Sequence, residues 1–496
     1  MTRAGRGDVV LGAEIGTAVI TVAVLGEDLS LRETVAWPLP RATPHPVDPV
    51  QDPWLVLDAL AAAVREAAGI CEVFGNSVRG ISLTSRMPTL LALDAGQLPL
   101  TPVLNATDGR AAGTTRRLVA EQGAALHRVT GVPLTPASPV AKLAWFAGHD
   151  PELFGHVAHW TGLKGFLLSR LTGRLVTDVS TSSAAGWVES ATLDWAQPAL
   201  DAAGVASEQL PALVDPTSVL RLTAAAGELL GLPAGTPVVV GASGAATAQI
   251  GVGAMSRGCA ALSMGASADL CVLEERPVVR ESELVSCHAF ADGLWISRGT
   301  FSNGDAVARW AAESFGGIDI DVLLAEAESV PIGAEGLIGI PHAMVPGGTS
   351  WGDPDFRAAL VGLRVDHGRA AMTRAMAEGV ARELATVRDA LGRGTEPITR
   401  VRAGGSALRS PLWGPLLAAA LDVPLEVVGT DEAPAIGAAL MAWRGLGLLG
   451  YLGDRPDVRL PAREVLPDPL ATAHFAATRR LGEQLTRLLT QLRTAS

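Results

Sequence analysis

The sequence predicts an α/β protein made of two topologically related halves. Short runs of β-forming residues alternate with helical periodicity in the order β-β-β-α-β-α from residue 9 onward. A similar order recurs after a break near residues 241–255. The length, 496 residues, exceeds what one ordinary core organises and suits two domains of roughly 200 to 250 residues, divided here as 1–250 and 251–496. Alternating strands and helices of this kind give mixed sheets with helices on both faces.

In the first half, Val9 to Ala13, Val19 to Leu25 and Glu33 to Trp37 read as strands, the first two joined at the Gly16-Thr17 turn. A Pro-rich loop runs from Pro38 to Pro53. Leu55, Leu57, Leu60 and Val64 then give Trp54 to Ala68 a helical period. Val78 to Leu83 and Leu90 to Leu93 are further strands. In the second half, Cys259 to Met264, Leu270 to Leu273 and Leu294 to Ser297 read as strands and Asp305 to Ser314 as a helix. Met372, Met376, Val380, Leu384, Val387 and Leu391 recur at helical steps and predict a helix from Arg369 to Leu391. A strand (Thr399 to Ala403), a helix (Leu408 to Leu421), a strand (Leu425 to Val428) and a helix (Ala433 to Arg444) complete the order. An amphipathic helix over 470–493, with Leu481, Leu485, Leu488 and Leu489, is expected to pack on its own domain or on a second subunit, which would make a homodimer.

Composition narrows the function. Hydrophobic residues are 48% and charged residues 18%, a balance that requires a buried core and excludes intrinsic disorder. Acids outnumber bases 51 to 39, a net charge of -12, which argues against nucleic-acid partners bound by backbone neutralisation. A nucleotide stays admissible, because its phosphates need only a local pocket of N–H groups. The positive charge is almost all arginine, Lys142 and Lys164 being the only lysines; codon bias in a GC-rich genome accounts for it. Cys71, Cys259, Cys271 and Cys287 have neither metal-ligand nor disulfide spacing and read as buried thiols. No signal peptide opens the chain, and no stretch is apolar enough to span a bilayer; 433–450 comes nearest but Arg444 interrupts it. A cytoplasmic protein with no membrane partner is expected.

Three glycine turns carry the chemical signal: Glu14-Ile15-Gly16-Thr17, Ser263-Met264-Gly265-Ala266-Ser267 and Ala403-Gly404-Gly405-Ser406. Glycine lets the main chain approach a phosphate, and small hydroxyl residues add hydrogen bonds. Each turn alone is weak, since glycine in a tight hairpin is commonly structural; their recurrence at equivalent places in two halves gives them weight. Neither a P-loop nor a proper dinucleotide-binding fingerprint is present.

Further segments carry a resemblance. Ala137 to Trp145, His288-Ala289 followed by Gly299 and Asn303-Gly304, then Asp353-Pro354, Gly362-Leu363, His367 and Glu378-Gly379, and finally Gly404-Gly405-Ser406, Trp413, Pro424 and Gly437-Ala438-Ala439 occur in an order and spacing that resemble the FGGY family of carbohydrate kinases, its gluconokinase and xylulokinase branches above all. The resemblance covers about residues 8–450. It implies two actin-like (ribonuclease H-like) domains facing a central cleft, a small-molecule sugar, polyol or sugar acid held by the first domain, ATP across the second, Mg²⁺ alongside, and hinge closure that expels water. On this chain it places substrate contacts at Arg86, Met87, Asp108 and Arg110, nucleotide contacts at Gly16, Thr17, Gly265, Ser267, Gly404, Gly405 and Ser406, and the Mg²⁺-holding carboxylate at Glu14.

The departures from the family pattern cluster around that cleft. Gly244 stands at the position of the family's catalytic Asp, and no carboxylate lies between Glu228 and Asp269. Glu14 replaces an Asp, Thr21 a basic residue, Ser85-Arg86-Met87-Pro88 a Gly-Gln-Met-His type turn, Ala106 a Trp, and Ala266 a Thr. Pro346-Gly347-Gly348 replaces a Gly-Glu-Arg stretch, and Pro415 and Ala419 replace a Gln and an Asp. Losing a positioned base costs roughly 10² to 10⁴ in rate. Two readings are open. One is a kinase with a displaced base, for which Asp108 and Asp305 are candidates; Asp108 also reads as a structural or sugar-hydroxyl contact and Asp305 as a helix cap. The other is a pseudokinase or repurposed protein on the same fold, with Arg86 suited to an anionic ligand.

Overall fold

The computed structural model describes residues 7–39, 50–280, 282, 284–301, 303–342, 358–393, 396–454 and 460–494. Pro346-Gly347-Gly348 and Asp353-Pro354 lie outside the described residues.

The N-terminal lobe is organised by β1 (Asp8–Ile15), β2 (Val19–Gly26), β3 (Leu31–Pro38), helix α1 (Pro53–Val73), β4 (Ser77–Ser85), helix α2 (Pro139–His149), helix α3 (Leu163–Thr172), helix α4 (Val179–Ala184), β5 (Val219–Arg221) and β6 (Pro237–Val239). The six strands form one sheet in the order β5-β6-β4-β1-β2-β3. β1, β2 and β3 are an antiparallel meander, while β4 runs parallel to β1 and β6 parallel to β4. β1 is buried along most of its length because helices cover both faces. α1 supplies one cover through Leu60, Ala63, Val64 and Ala67. It begins at Pro53 with Asp52 accepting from the N–H groups of Trp54 and Leu55.

The chain then crosses through α5 (Gly244–Gly251) into β7 (Cys259–Met264), β8 (Ala268–Glu274), β9 (Val285–Ala289), β10 (Trp295–Phe301), helix α6 (Arg369–Leu391), β11 (Arg400–Gly404), helix α7 (Trp413–Leu421), β12 (Leu425–Val428), helix α8 (Ala433–Gly445), β13 (Ala462–Val465) and helix α9 (Pro469–Thr494). This sheet has the order β9-β10-β8-β7-β11-β12-β13. β7 pairs antiparallel with β8 and β8 with β10, whereas β11 runs parallel to β7 and β12 to β11. Both lobes therefore carry an antiparallel run, β1-β2-β3 and β7-β8-β10, whose first strand is flanked by a parallel strand, the repetition expected from the element order.

The lobes are joined by an exchange of helices. α5 follows the first sheet but packs with Ala261, Cys271 and Ile296 of the second; α8 follows the second sheet but packs with Val10 and Ala23 of the first. The contact is backbone on backbone. A Cβ at Gly12 would overlap Ala435 and Ala439 of α8, and one at Gly437 would overlap Thr247 of α5.

Three expectations change. Leu91–Leu93 pairs with His159–Thr161 outside the main sheet, because the chain has already turned away after β4. The helix expected over Leu408 to Leu421 is broken: a 3-10 turn at Ser406–Arg409 ends in extended Ser410, the conformation a following proline enforces, and α7 starts only at Trp413. Asp305 precedes helix Ala306–Ser314 but makes no side-chain cap; its carboxylate pairs with Arg309 at 2.9 Å. α9 takes one of its two expected places, on α7 and α6 of its own lobe, with Phe475 and Thr486 buried and Leu481 and Leu488 exposed.

Candidate active site

The glycine turns of the C-terminal lobe meet. In the β7–β8 hairpin the Gly265 N–H donates to Ser267 O at 2.9 Å, and Gly265 O accepts from the Asp305 N–H at 2.8 Å. A Cβ at Gly304 would overlap Gly265 O, and one at Gly405, whose φ is +116°, would overlap Met264. A Cβ at Gly265 would sit 3.8 Å from Ser406 Oγ. Three turns thus interlock only because they lack side chains, and they leave Ser406 exposed and Gly265, Ser267 and Gly405 half-buried. Main chain presented this way suits phosphate oxygens.

The N-terminal lobe contributes the ends of β1 and β4. In the β1–β2 turn the Gly16 N–H donates to Val19 O at 3.0 Å, with Thr17 exposed. The Arg86 N–H donates to Ile15 O at 2.9 Å, so the Arg86-Met87 turn lies against the end of β1. The Arg86 side chain is exposed, and its guanidinium makes no ion pair among the described residues. Glu14 is half-buried between the lobes. Burial lifts its carboxyl to about 7, Arg86 pulls it down and Glu432, at the start of α8, pushes it up. Thr430, two residues before Glu432, touches the third glycine turn: its carbonyl would lie 3.1 Å from a Cβ at Gly404. A pair of carboxylates beside a phosphate turn fits Mg²⁺ held mainly by the nucleotide and water, so Glu14 with Glu432 would hold it, and bound there it would neutralise charge on the transferring phosphoryl group.

Gly244 opens α5 at the floor of the cleft. Thr84 Oγ1 reaches Ala242 O at 3.0 Å and Thr247 Oγ1 at 3.1 Å. Lys164 Nζ donates to Gly241 O at 3.1 Å and Ala242 O at 3.2 Å and pairs with Asp178 at 2.5 Å. Burial pushes the Lys164 pKa down and Asp178 opposes that shift. Ser243 caps α5 by accepting from the Ala246 N–H at 3.4 Å, hydrogen-bonds Ser180 at 3.2 Å, and stands 3.4 Å from His288 Nε2 across the lobes. A Cβ at Gly244 would lie 3.1 Å from Ser85 O.

Asp108 and Arg110 come together as a pair. Arg110 Nε donates to both carboxylate oxygens of Asp108, at 2.8 and 3.0 Å, and the guanidinium stacks 5.2 Å from the Trp145 ring of α2. Lys142 Nζ donates to Asn105 O at 2.5 Å beside them; burial lowers its pKa to about 8, with Asp108 opposing and Arg110 adding to the shift. Met87 instead lines a cleft with Thr89, Lys164, Thr181 and Trp187.

Sequence reasoning missed Lys164, Asp178, Ser180, Asp269 and Arg298. Lys164 did carry a signal, as one of only two lysines in an arginine-rich chain and set beside Leu163, Phe166, Leu167 and Leu168. The others are joined by strand pairing and packing, which no local pattern shows.

Comparison with known proteins agrees with this architecture. Residues 9–251 match the model of the FGGY family of carbohydrate kinases, N-terminal domain, and residues 260–446 match the C-terminal domain of the same family. The chain is 28% identical over 454 residues to a gluconokinase of Bacillus subtilis (strain 168), covering 88% of this chain and 87% of that one. It is 28% identical over 497 residues to a xylulose kinase of Escherichia coli (strain K12), covering 97% and 99%. Among solved structures, a ligand-bound xylulose kinase from Lactobacillus acidophilus superposes with a TM-score of 0.88 at 25% identity, covering 97% of this chain and 98% of that chain. A gluconate kinase from the same organism gives 0.86 at 25% identity, covering 98% of each. Both lobes, and the turns that face each other between them, are accounted for by one family: the chain belongs to the FGGY carbohydrate kinases.

Proposed function

We propose that this protein transfers the γ-phosphoryl group of ATP to a hydroxyl of a sugar or sugar acid. Residues 1–250 hold the acceptor and residues 251–496 the nucleotide. The observation that carries this reading is the interlocking of the turns at 264–267, 303–305 and 404–406, whose side-chain-free main chain suits phosphate oxygens. Arg86, exposed and without an ion pair among the described residues at the end of β4, suits an anionic acceptor, and gluconokinases stand beside xylulose kinases among the relatives. Transfer between positioned partners asks little covalent chemistry of the protein; it needs alignment, charge neutralisation and a proton acceptor.

A coupled assay of ADP release over a panel of aldonates, ketoses and polyols tests this. Turnover is expected with at least one acceptor. Arg86→Gln is expected to raise KM for a sugar acid about 10- to 100-fold, the value of a lost charge-assisted hydrogen bond, while a neutral sugar stays within about threefold. Equal effects on both classes would remove Arg86 from acceptor recognition.

Gly244 favours a second reading, in which the cleft binds ligand without turnover because the family's Asp is missing there. Nucleotide binding measured by calorimetry with no ADP released on any acceptor would establish that reading over the first.

A further inference from the structure

Resting on the kinase reading, we propose that Asp269 is the proton acceptor, a carboxylate on β8 of the C-terminal lobe standing in for the one absent at Gly244. Asp269 lies two residues beyond the Ser267 end of the phosphate turn. Its Oδ1 accepts from Arg298 Nε at 2.8 Å, from Arg298 Nη2 at 2.7 Å and from Thr300 Oγ1 at 2.7 Å. Its Oδ2 makes no hydrogen bond among the described residues, and the side chain keeps 13% of its surface exposed. One oxygen is therefore fixed and the other presented. That division is what a positioned base requires.

β8 places this carboxylate on the face of the sheet that α5 packs against. Side chains alternate along β8. Ala268 and Leu270 enter the core of the C-terminal lobe, whereas Cys271, on the same face as Asp269, packs with Ala246 and Ile250 of α5. Arg298 is opposite Cys271 on β10 and close enough to His288 to help hold that imidazole neutral. His288 Nε2 stands 3.4 Å from Ser243 Oγ, the residue before Gly244. A polar row, Asp269–Arg298–His288–Ser243, thus runs from the phosphate turn to the start of α5.

The other acids are engaged elsewhere. Both oxygens of Asp108 are held by Arg110, Asp305 pairs with Arg309, and Glu14 sits with Glu432. In the step, the acceptor oxygen forms its bond to the γ-phosphorus as the bond from that phosphorus to the bridging oxygen of ADP breaks. The hydroxyl proton passes to Asp269 Oδ2 and then to water as the product leaves.

Asp269→Asn preserves the shape of the site and an oxygen for Arg298. It is expected to lower kcat about 10²- to 10⁴-fold, with ATP affinity by calorimetry within about threefold of wild type. Adding Gly244→Asp to that variant is expected to restore at least about tenfold, because a carboxylate returns at the other wall of the same cleft. A kcat within about threefold of wild type in Asp269→Asn overturns the assignment and leaves the kinase reading standing. So does a loss of ATP affinity that parallels the loss of turnover, which would mark Asp269 as structural. Absence of turnover by the wild-type protein on every acceptor fails the kinase reading itself and the assignment with it.

Discussion

Gly437→Ala is expected to destabilise the protein by at least about 3 kcal/mol, the upper range for overpacking a closed interior. The added Cβ would overlap the Thr247 carbonyl, and that neighbour is main chain of α5 with no rotamer to change. Gly251 stands in the same relation to the Ala433 carbonyl, and Gly12 of β1 to Ala435 and Ala439. Relief therefore requires α5 and α8 to separate, and these are the two helices that each lobe lends to the other. Cooperative unfolding followed by calorimetry should show the loss together with weaker ATP binding, because Glu432 and the third glycine turn adjoin the start of α8. Gly69→Ala in α1 is the matched control: that glycine is exposed with nothing near its missing Cβ, so the change should be neutral or stabilising by up to about 1 kcal/mol. A loss below about 1 kcal/mol at Gly437 would mean that the crossing has slack.

Gly437 also shows where reading the sequence stops. In the sequence it is legible only as part of the family resemblance, whereas in the fold it is a backbone contact between α8 and α5. The antiparallel runs and α6 are legible because β-forming runs and the three- to four-residue apolar step are local patterns. β9 and β13 are not: they are edge strands, written as Val-Ser-Cys-His-Ala and Ala-Arg-Glu-Val, and their hydrogen bonds come from a neighbour rather than from propensity. In the site, the glycine turns are legible because close approach of backbones demands glycine. The carboxylate gap from residue 229 to 268 is legible as well. The acid at the far edge of that gap is not, because Asp269 gains its meaning from facing Thr300 across β8 and β10, a register set by folding. Lys164 and Asp178 are likewise joined by packing that brings α3 beside the end of β6.

Acid should loosen the joint between the lobes, and His288 is the group to which the effect can be traced. It is fully buried, and burial together with the Arg298 guanidinium pushes its pKa from 6.5 down to about 3. Between those two values the unfolded chain binds a proton that the folded chain refuses. Stability from this group is complete above about pH 6.5 and falls as pH drops toward 3, by about 5 kcal/mol in all at 1.36 kcal/mol per unit. Other carboxylates titrate over the same range, so the informative quantity is a difference. Urea denaturation of wild type and His288→Gln should show wild type losing about 2 to 3 kcal/mol more than the variant between pH 7 and pH 4.5, since glutamine keeps a donor for Ser243 and cannot take up the proton. Parallel pH dependences would show that His288 is protonated in the folded state or solvated by local opening. A larger loss in wild type would instead locate the acid-sensitive contact at the Ser243–His288 pair, beside the start of α5, where protonation presses on a contact between the two lobes.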